Sequence, residues 1–351
     1  MVSLENQYQK KTDKEHILDN PDTYIGSIEN VEGPMYILQD NKIISKNIDY
    51  NPGLFKLFDE GIVNCRDHVI RMIQKKEEDK DVQLVNQIHI EIKDDKITLM
   101  NNGEGIDVEK HPTYDIWIPE MIFGHLRTST NYDKNQEKIT GGKNGFGFKL
   151  VLIWSTYGYI ETIDSKRKLK YSQKFENNLD IIHKPSISKC CKKPYTKVEF
   201  IPDYKRLRLQ GLSQHMISLF QRRVYDIAGI TSKEVKVKLN DENLEVKDFN
   251  HYVKMYNDLD KVSEQPSERW NYSVCLSDEF KQVSFVNGIF TSKGGKHVDY
   301  IVQQIVKKMI AYIEKKKKIE VKPSIIREQI HIFLNCTIVN PSFDSQTKDY
   351  F

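Results

Sequence analysis

The chain has 351 residues, of which 38% are hydrophobic and 29% are charged, and its formal net charge is +3. This length allows two domains with cores of their own, and no apolar run approaches the roughly 20 residues that a membrane helix needs. A net charge this small excludes a chain that binds nucleic acid over its whole surface, so any DNA contact must come from a local patch.

The cysteines and the N-terminus indicate an intracellular protein. The five cysteines show no CxxC spacing, and the adjacent pair Cys190-Cys191 has no second pair with which to complete a zinc site. We therefore expect reduced thiols. The N-terminal residues contain no apolar stretch of the kind that a secretory signal requires.

The first hundred residues predict short elements followed by one long helix. Residues 1–20 form an arm with a short amphipathic helix, and a turn follows at residues 20–22. Residues 35–48 predict a hairpin. Asn51 is a suitable N-cap with Pro52 at the first helical position, and apolar residues then recur at the helical period up to Ile73. Alternation over residues 88–100 predicts a second hairpin, which ends in the loop NNGEG.

The rest of the chain predicts two further groups of elements. A short helix and loop at residues 117–140 and a glycine-rich stretch at 141–150 come first. The first group then has strands at 157–164, 168–175 and 196–201, a helix at 212–227 and a hairpin at 234–247. Residues 257–268 are polar and predict a linker. The second group has strands at 271–276, 283–290 and 330–337 and a helix at 297–315. Helices interleaved with hairpins indicate an α+β fold in two units.

The stretch GGKNGFGFKL at residues 141–150 is the strongest functional signal. Four glycines within seven residues, followed by a helix-compatible apolar run, would present backbone N–H groups to a phosphate chain. The stretch is not a P-loop, because Phe148 stands where that motif needs Lys. It is not a Rossmann fingerprint either, because Leu150 replaces the third glycine.

Glu60 and Asn64 lie one turn apart on the long predicted helix, and Asp67 extends their stripe. On spacing alone, the stripe is either a solvated helix face or a general base beside a metal ligand. A carboxylate can orient and deprotonate water, and an amide oxygen can complete the oxygen shell of Mg²⁺. Two glycine loops in the same unit favour the second interpretation.

Other polar groups have a structural and a functional interpretation, and the residues alone do not decide between them. Asn102 in the NNGEG loop is part of a hairpin connection or reads the edge of a base. Ser129, Thr130 and Asn131 form a turn or contact a ligand. Gln346 and Lys348 lie in a polar loop from which Lys348 can reach a terminal phosphate. Four consecutive lysines close the last long helix, where they favour the helix dipole or contact a phosphate backbone. They are Lys315, Lys316, Lys317 and Lys318.

Taken together, the motifs resemble the GHKL ATPases, a superfamily that includes gyrase, the heat-shock chaperone, histidine kinases and mismatch-repair MutL. The sequences of seven segments are similar to the N-terminal region of eukaryotic-type DNA topoisomerase II, and the similarity covers essentially the whole chain. The segments are PDTYIGS at 21–27, FDEGIVN at 58–64, IPEMIFGHLRTSTNYD at 118–133, TGGKNGFGFKL at 140–150, RRVYDIAG at 222–229, SFVNGIFTSKGGKHVDYI at 284–301 and NPSFDSQTKDYF at 340–351.

This resemblance implies a fold and a domain organisation. Residues 1–257 would form a GHKL (Bergerat) α/β sandwich with a mixed sheet, including the N-terminal arm at 1–20. Residues 258–351 would form a transducer domain of ribosomal-S5-like α/β fold, cut short at its C-terminus. The chain would be a fragment of a longer enzyme.

The resemblance also implies a role for each candidate residue. Glu60 would activate water for attack on the γ-phosphate of ATP, Asn64 would hold Mg²⁺, and Asn102 would bind the adenine amine. Gln346 and Lys348 would contact the γ-phosphate, so we group them with Glu60 as catalytic. The remaining nucleotide-binding positions would be Gly105, Ser129, Thr130, Asn131, Lys143, Asn144, Gly145, Phe146, Gly147, Phe148, Lys149, Thr196 and, from the partner subunit's arm, Tyr8.

The function implied is that of an ATP-operated gate. Two copies would bind ATP, dimerise with exchange of their arms and trap a double-stranded DNA segment, with the lysines at 315–318 facing DNA. The location would be the nucleus or, for a large DNA virus, the virion or host cytoplasm. The alternative is a nucleotide-gated clamp of the MutL or chaperone type that is not a topoisomerase.

The sequence departs from the family pattern at four positions. Lys143 replaces an Arg, Phe146 replaces a Tyr, Phe148 replaces an Ala, and Gly61 stands where an aliphatic residue is usual. None of these changes removes a reacting group, so we expect ATP hydrolysis to survive. Gly61 is expected to loosen its helix by about 1 kcal/mol.

Overall fold

The fold consists of two mixed β-sheets with helices packed against them. The structure is a computed structural model, and it describes residues 10–126, 128, 137–142, 147–257 and 259–351. The described helices are α1 (Asp13–Asp19), α2 (Pro21–Tyr24), α3 (Pro52–Glu78), α4 (Ile118–Gly124), α5 (Gly147–Ile153), α6 (Gln214–Ile230), α7 (Phe249–Lys254), α8 (Lys296–Lys317) and α9 (Pro323–Glu328). No helix in these ranges combines the length and the apolar content needed to span a bilayer.

The first sheet carries most of the candidate site. It begins after a separate hairpin of β1 (Val31–Gln39) and β2 (Lys42–Tyr50). Its strands are β3 (Gln87–Lys93), β4 (Lys96–Asn102), β5 (Ser155–Asp164), β6 (Leu169–Glu176), β7 (Ile181–Ile182), β8 (Ser186–Lys189), β9 (Tyr195–Pro202), β10 (Lys236–Leu239) and β11 (Glu242–Asn243). Their order is β11-β10-β3-β4-β9-β5-β6-β7, with β8 beside β6, and β10 is parallel to β3.

The second sheet has five strands in the order β12-β13-β16-β14-β15. They are β12 (Val262–Ser267), β13 (Trp270–Leu276), β14 (Lys281–Val286), β15 (Ile289–Phe290) and β16 (Ile330–Cys336). Strand β14 is parallel to β16, so this sheet is also mixed. Mixed sheets with packed helices confirm the predicted α+β class.

Two predicted elements of the second sheet need correction. The supposed linker at 257–268 contains strand β12, which pairs with β13 at the edge of the sheet. All six residues of β12 are exposed, so the strand has no apolar alternation that would distinguish it from a loop. The single strand predicted at 283–290 is two strands joined by a turn at Asn287-Gly288, where both residues have positive φ.

Helix α3 forms as predicted and supports the site. The Asn51 side chain accepts a hydrogen bond from the Leu54 N–H at 2.9 Å, which caps the helix. The same side chain donates to the carbonyls of Ile28 at 2.7 Å and Leu207 at 3.2 Å. Asn51 is fully buried and therefore joins the start of this helix to two other segments.

The two sheets are joined by one apolar core, and a second apolar cluster lies between the second sheet and the helices α8 and α9. The main buried cluster includes residues of α3, the first sheet and α6, and it also includes Val283, Phe285 and Phe333 of the second sheet. The predicted boundary between residues 257 and 258 falls between the sheets in sequence and stays a prediction. The shared core holds the second sheet against the helices that carry the site.

We predict that Asn51→Ala lowers the free energy of unfolding by about 2–3 kcal/mol, because it removes a helix cap and leaves buried carbonyls without donors. Urea denaturation measures the change. Thr12→Ala is the control, since Thr12 caps the exposed helix α1 without buried partners. It should cost about 1 kcal/mol or less. Equal losses in the two variants would contradict this account.

Candidate active site

A buried carboxylate held by two lysines is at the centre of the site. Glu60 lies on α3 and is 4% exposed. Its Oε1 atom is 3.0 Å from Lys56 Nζ, one helical turn earlier, and 3.2 Å from Lys348 Nζ, which comes from the end of the chain. Lys348 is itself only 5% exposed. The predicted base and the predicted phosphate-sensing lysine therefore meet in the folded protein.

The two lysines keep Glu60 ionised. Burial by itself raises the pKa of a carboxyl group, because the charged form loses its hydration. The ammonium groups of Lys348 and Lys56 outweigh that effect and lower the pKa of Glu60 from 4.5 to about 2. The pKa of Lys56 is raised, because Glu60 and Asp59 outweigh the cost of its burial. The Glu60 carboxylate is therefore ionised at neutral pH.

The carboxylate opens into a cavity of about 440 Å³ between α3 and the first sheet. Predicted residues that line it come from five parts of the chain. They are Glu60, Asn64, Gly105, Gly147, Phe148, Lys149, Thr196, Gln346 and Lys348. The cavity is lined by both polar and apolar side chains, as is typical of small-molecule sites.

The glycine-rich stretch approaches the predicted base at Gly147. A Cβ at Gly147 would lie 2.9 Å from Glu60 Oε2 and 3.4 Å from Asn64 Nδ2, so a larger residue would displace these side chains. The stretch begins at a second anchor, where the Asp67 carboxylate accepts hydrogen bonds from the N–H groups of Gly141 and Gly142, both at 2.9 Å. Helix α3 thus holds the start of this stretch and approaches its end.

Two departures from the family pattern, Gly61 and Phe148, lie close together. A Cβ at Gly61 would lie 2.4 Å from Leu99 Cδ1 and 3.7 Å from Phe148 Cε2. The small residue on α3 therefore leaves the room that Leu99 occupies, and the Phe148 ring lies beside it at contact distance. Phe148 also makes edge contacts with Phe123 and Phe200. Packing contacts thus offset part of the helix propensity that Gly61 loses.

Lys149 enters the cavity wall from the start of α5. It is 4% exposed, and its Nζ donates a hydrogen bond to the carbonyl of Thr128 at 2.7 Å. Burial lowers the pKa of Lys149 to about 8. An anion in the cavity would restore the ordinary pKa by favouring the charged form.

Of the two adjacent amides in the NNGEG loop, Asn101 lines the cavity. Asn101, not Asn102, lies opposite Thr196 in the β4–β9 register, and both Asn101 and Thr196 line the cavity. The Asn102 side chain instead accepts hydrogen bonds from the N–H groups of Asn86 and Gln87, both at 2.9 Å. Neighbouring side chains on a strand point to opposite faces, so a shift of one residue changes the partner.

The chain is similar over nearly its whole length to the ATPase region of Saccharomyces cerevisiae topoisomerase II. The two share 42% sequence identity and superpose with a TM-score of 0.90, covering 98% of this chain and 90% of that chain. This chain belongs to the type II DNA topoisomerase family.

Further comparisons agree on the family. The ATPase and transducer domains of DNA topoisomerase II from Balamuthia mandrillaris match with 37% identity and a TM-score of 0.91, covering 99% of this chain and 89% of that chain. DNA topoisomerase 2 of Acanthamoeba polyphaga mimivirus is 44% identical, covering 99% of this chain and 28% of the relative. A family model described as DNA gyrase B matches residues 232–351.

The chain spans about a quarter of the length of the curated topoisomerase relatives that it matches. The alternative of a MutL-type or chaperone-type clamp is not favoured, because these relatives are named DNA topoisomerase 2.

Several residues predicted from the topoisomerase II resemblance stay predictions. The positions that lie outside the described residues are Tyr8, Ser129, Thr130, Asn131, Lys143, Asn144, Gly145 and Phe146. The lysines at 315–318 are exposed at the end of α8, where Lys318 is the C-cap in the left-handed conformation. They do not line the cavity.

Three side chains at this site were not predicted from the sequence. Lys56 and His68 flank the Glu60–Asn64 stripe at intervals of four residues along α3, so the helical period was an available signal. His68 lines the cavity, and its Nε2 contacts the carbonyl of Glu104 at 2.8 Å. Burial lowers the pKa of His68 to about 4, so it is neutral at physiological pH. Arg71 lines the same wall.

The donor set fits a magnesium ion that is carried by a nucleotide. Among the described residues, no group of three His, Cys, Asp or Glu side chains can hold a metal by itself. The Asn64 amide nitrogen donates to the backbone carbonyl of Glu60, which fixes the amide beside the carboxylate. Mg²⁺ usually takes only one or two protein oxygens and completes its shell with phosphate and water. Asn64 is sufficient for that role.

We predict that Glu60 makes the stability of the chain depend on pH. Its lowered pKa stabilises the folded state above pH 4.5, and this contribution is lost as the pH falls toward 2. The difference in unfolding free energy between wild type and Glu60→Gln should therefore shift by about 2 kcal/mol between pH 6 and pH 3. Urea denaturation at several pH values measures it.

The Lys348→Met variant is the second arm of that experiment. It removes one of the two cations that lower the pKa of Glu60, so the pH-dependent shift relative to a Glu60→Gln/Lys348→Met double variant should be smaller. Parallel pH curves for wild type and Glu60→Gln would contradict the assignment of a depressed pKa to Glu60.

Proposed function

We propose that the chain binds ATP with Mg²⁺ and hydrolyses it as the ATP-operated gate of a type II DNA topoisomerase. The observation that carries this proposal is the meeting of Glu60, Lys348 and the end of the glycine stretch at Gly147 around one cavity. A base, a cation from the C-terminal loop and a backbone that can approach phosphates are the parts that phosphoryl transfer to water requires.

The purine would lie against Asn101 and Thr196, which are neighbours on strands β4 and β9 and both line the cavity. An amide side chain on a strand end can both donate to and accept from the edge of a base. We therefore propose Asn101 in place of Asn102 as the residue that recognises the adenine amine. The phosphates would extend from there toward Lys149 and Gly147.

Lys348 would change partners during the reaction. In the structure, its ammonium group pairs with Glu60. A γ-phosphate carries more negative charge than one carboxylate and would draw Lys348 away from it. Glu60 would then keep only Lys56 as a cation, its pKa would rise, and it would become a stronger base toward the attacking water. Mg²⁺, when bound, would neutralise charge on the β- and γ-phosphates.

Loss of the γ-phosphate would return Lys348 to Glu60. Because Lys348 follows the second sheet in the chain, each exchange of partner would move the loop at 344–349 relative to α3. This is a switch in which one phosphate contact decides the position of a segment. It would couple hydrolysis to the movement of the predicted transducer domain.

The gate itself involves partners beyond this chain. We propose ATP-dependent homodimerisation with exchange of the 1–20 arm and Tyr8, capture of double-stranded DNA, and continuation into the rest of a topoisomerase. We also propose an intracellular location, in the nucleus or, for a viral chain, in the virion or host cytoplasm. These proposals rest on the family to which the chain belongs.

Glu60→Gln should bind a fluorescent ATP analogue within about twofold of wild type, while its steady-state hydrolysis falls by at least about 100-fold, because the proton acceptor is lost. Fluorescence titration and a coupled ATPase assay measure the two quantities. Glu77→Gln, an exposed change on the same helix, is the matched control and should leave both unchanged. Wild-type turnover in Glu60→Gln would refute the proposed role.

Replacing the four lysines at 315–318 with Ala should weaken DNA binding and flatten its dependence on salt. Each lost phosphate contact lowers the slope of log affinity against log salt by about 0.9. Fluorescence anisotropy with duplex DNA measures the slope. The control replaces four other exposed lysines, Lys46, Lys80, Lys233 and Lys247. Equal changes in both variants would leave the lysine run as an ordinary solvated helix end.

A further inference from the structure

The turn at residues 287–289 of the second sheet touches three parts of the proposed active site. It joins β14 to β15. The Asn287 side chain is fully buried and exchanges hydrogen bonds with the backbone of Ile338, at 2.9 Å and 2.7 Å. Residue 338 begins the segment that leads to Lys348. The turn is therefore fixed to the stretch of chain that carries the phosphate-sensing lysine.

The same turn contacts the start of the glycine stretch. The Ile289 side chain packs against Gly141, where a Cβ would lie 2.9 Å from its Cγ1 atom and 3.1 Å from Val63 Cγ1 of α3. Gly141 is the residue that Asp67 anchors through its N–H group. The turn thus fills the corner between α3 and the beginning of the glycine stretch.

A continuous chain of buried polar contacts runs from this turn to Glu60. The Gly288 carbonyl accepts a hydrogen bond from Arg223 Nη2 at 2.7 Å. Arg223 Nε donates to Asp59 Oδ1, also at 2.7 Å. Asp59 Oδ2 lies 3.4 Å from Lys56 Nζ, and Lys56 is the permanent partner of Glu60 at 3.0 Å. Each of these four contacts is 3.4 Å or shorter.

Burial fixes the partners in this series of contacts. Arg223 is fully buried, and Asp59 and Lys56 are 4% and 6% exposed. Buried charged groups keep fixed partners, because solvent cannot replace a lost one. Gly288 has φ +83°, and a Cβ there would lie 2.4 Å from Arg66 Cδ, so the turn has little room to shift against α3. A displacement of its carbonyl must be followed by Arg223 or break the contact.

We propose that Asp59 and Arg223 are positioning residues through which the turn at 287–289 sets the place of Lys56 and thereby the orientation of Glu60. Lys348 reaches Glu60 directly from the C-terminal loop. The link through Arg223 is a second and separate route from the second sheet to the base. The inference rests on the proposed role of Glu60 in ATP hydrolysis. It makes the rate of hydrolysis sensitive to the position of this turn even when nucleotide is fully bound.

The test measures ATP hydrolysis and nucleotide binding in two conservative variants of the 351-residue chain. Asp59→Asn keeps the size of the side chain but removes its charge. Arg223→Lys keeps the charge, but one ammonium nitrogen cannot contact both Asp59 and Gly288 as the two guanidinium nitrogens do. Each variant should lower kcat about tenfold or more, because misplacement of a reacting group slows the chemical step. The Kd for a fluorescent ATP analogue should stay within twofold of wild type.

The double variant separates positioning from general destabilisation. If Asp59 and Arg223 act as one link, Asp59→Asn/Arg223→Lys should lose no more kcat than the worse single variant. Asp299→Asn is the control, because it breaks the Asp299–Arg327 contact of 3.0 Å elsewhere in the second sheet's helices. It should retain the wild-type kcat. Thermal melting verifies that each variant is folded at the assay temperature.

Three outcomes would overturn the inference: wild-type kcat in folded Asp59→Asn or Arg223→Lys, losses that multiply in the double variant, or a loss of nucleotide affinity that accounts for the slower rate. If Asp59→Asn does not fold, Arg223→Lys decides alone. The Glu60→Gln variant distinguishes a failure of the proposed function from a failure of the positioning link. An active Glu60→Gln would remove the proposed function, whereas an inactive Glu60→Gln with fully active link variants would remove only this inference.

Discussion

The contact between Glu60 and Lys348 joins two residues that are 288 positions apart in the chain. A carboxylate that is 4% exposed would take up a proton if it stood alone, because the interior does not solvate its charge. Lys348 and Lys56 prevent this. Docking of the C-terminal loop on α3 therefore helps Lys56 to keep the proposed base ionised. Buried ion pairs add little net stability, since desolvation offsets most of their attraction, so the value of this one lies in what it fixes in place.

The rest of the site is arranged around this charge. Asp67, two turns along α3, anchors the start of the glycine stretch, and Gly147 brings its end against the Glu60 carboxylate. Lys149 supplies a positive group whose pKa burial has lowered, so the cavity is prepared for an anion. One helix thus positions the proposed base, the proposed metal ligand Asn64 and two points of the glycine stretch, Gly141 and Gly147. The fully buried Asn51 caps this helix, and most of its first four turns is buried, so the helix is held firmly in place.

Much of this was predictable from the sequence, and the exceptions have physical causes. Helix α3, the hairpins and α8 have strong periodicity or clear caps, so their positions follow from local pattern. Strand β12 was missed because an edge strand with both faces in solvent has no alternation. Asn102 was chosen over Asn101 because the motif gives two adjacent amides. Only the pairing of Asn101 with Thr196 shows which of the two faces the cavity.

The sequence by itself determined the family resemblance, the helix that carries Glu60 and Asn64, and the glycine stretch that must approach phosphates, because these depend on residue types at short and fixed spacings. The tertiary structure alone decided that Gly61 makes room for Leu99 and that Arg223 connects Asp59 to the turn at Gly288. Those contacts depend on how helices and sheets pack across long separations in sequence, and no local spacing encodes the distance between such side chains.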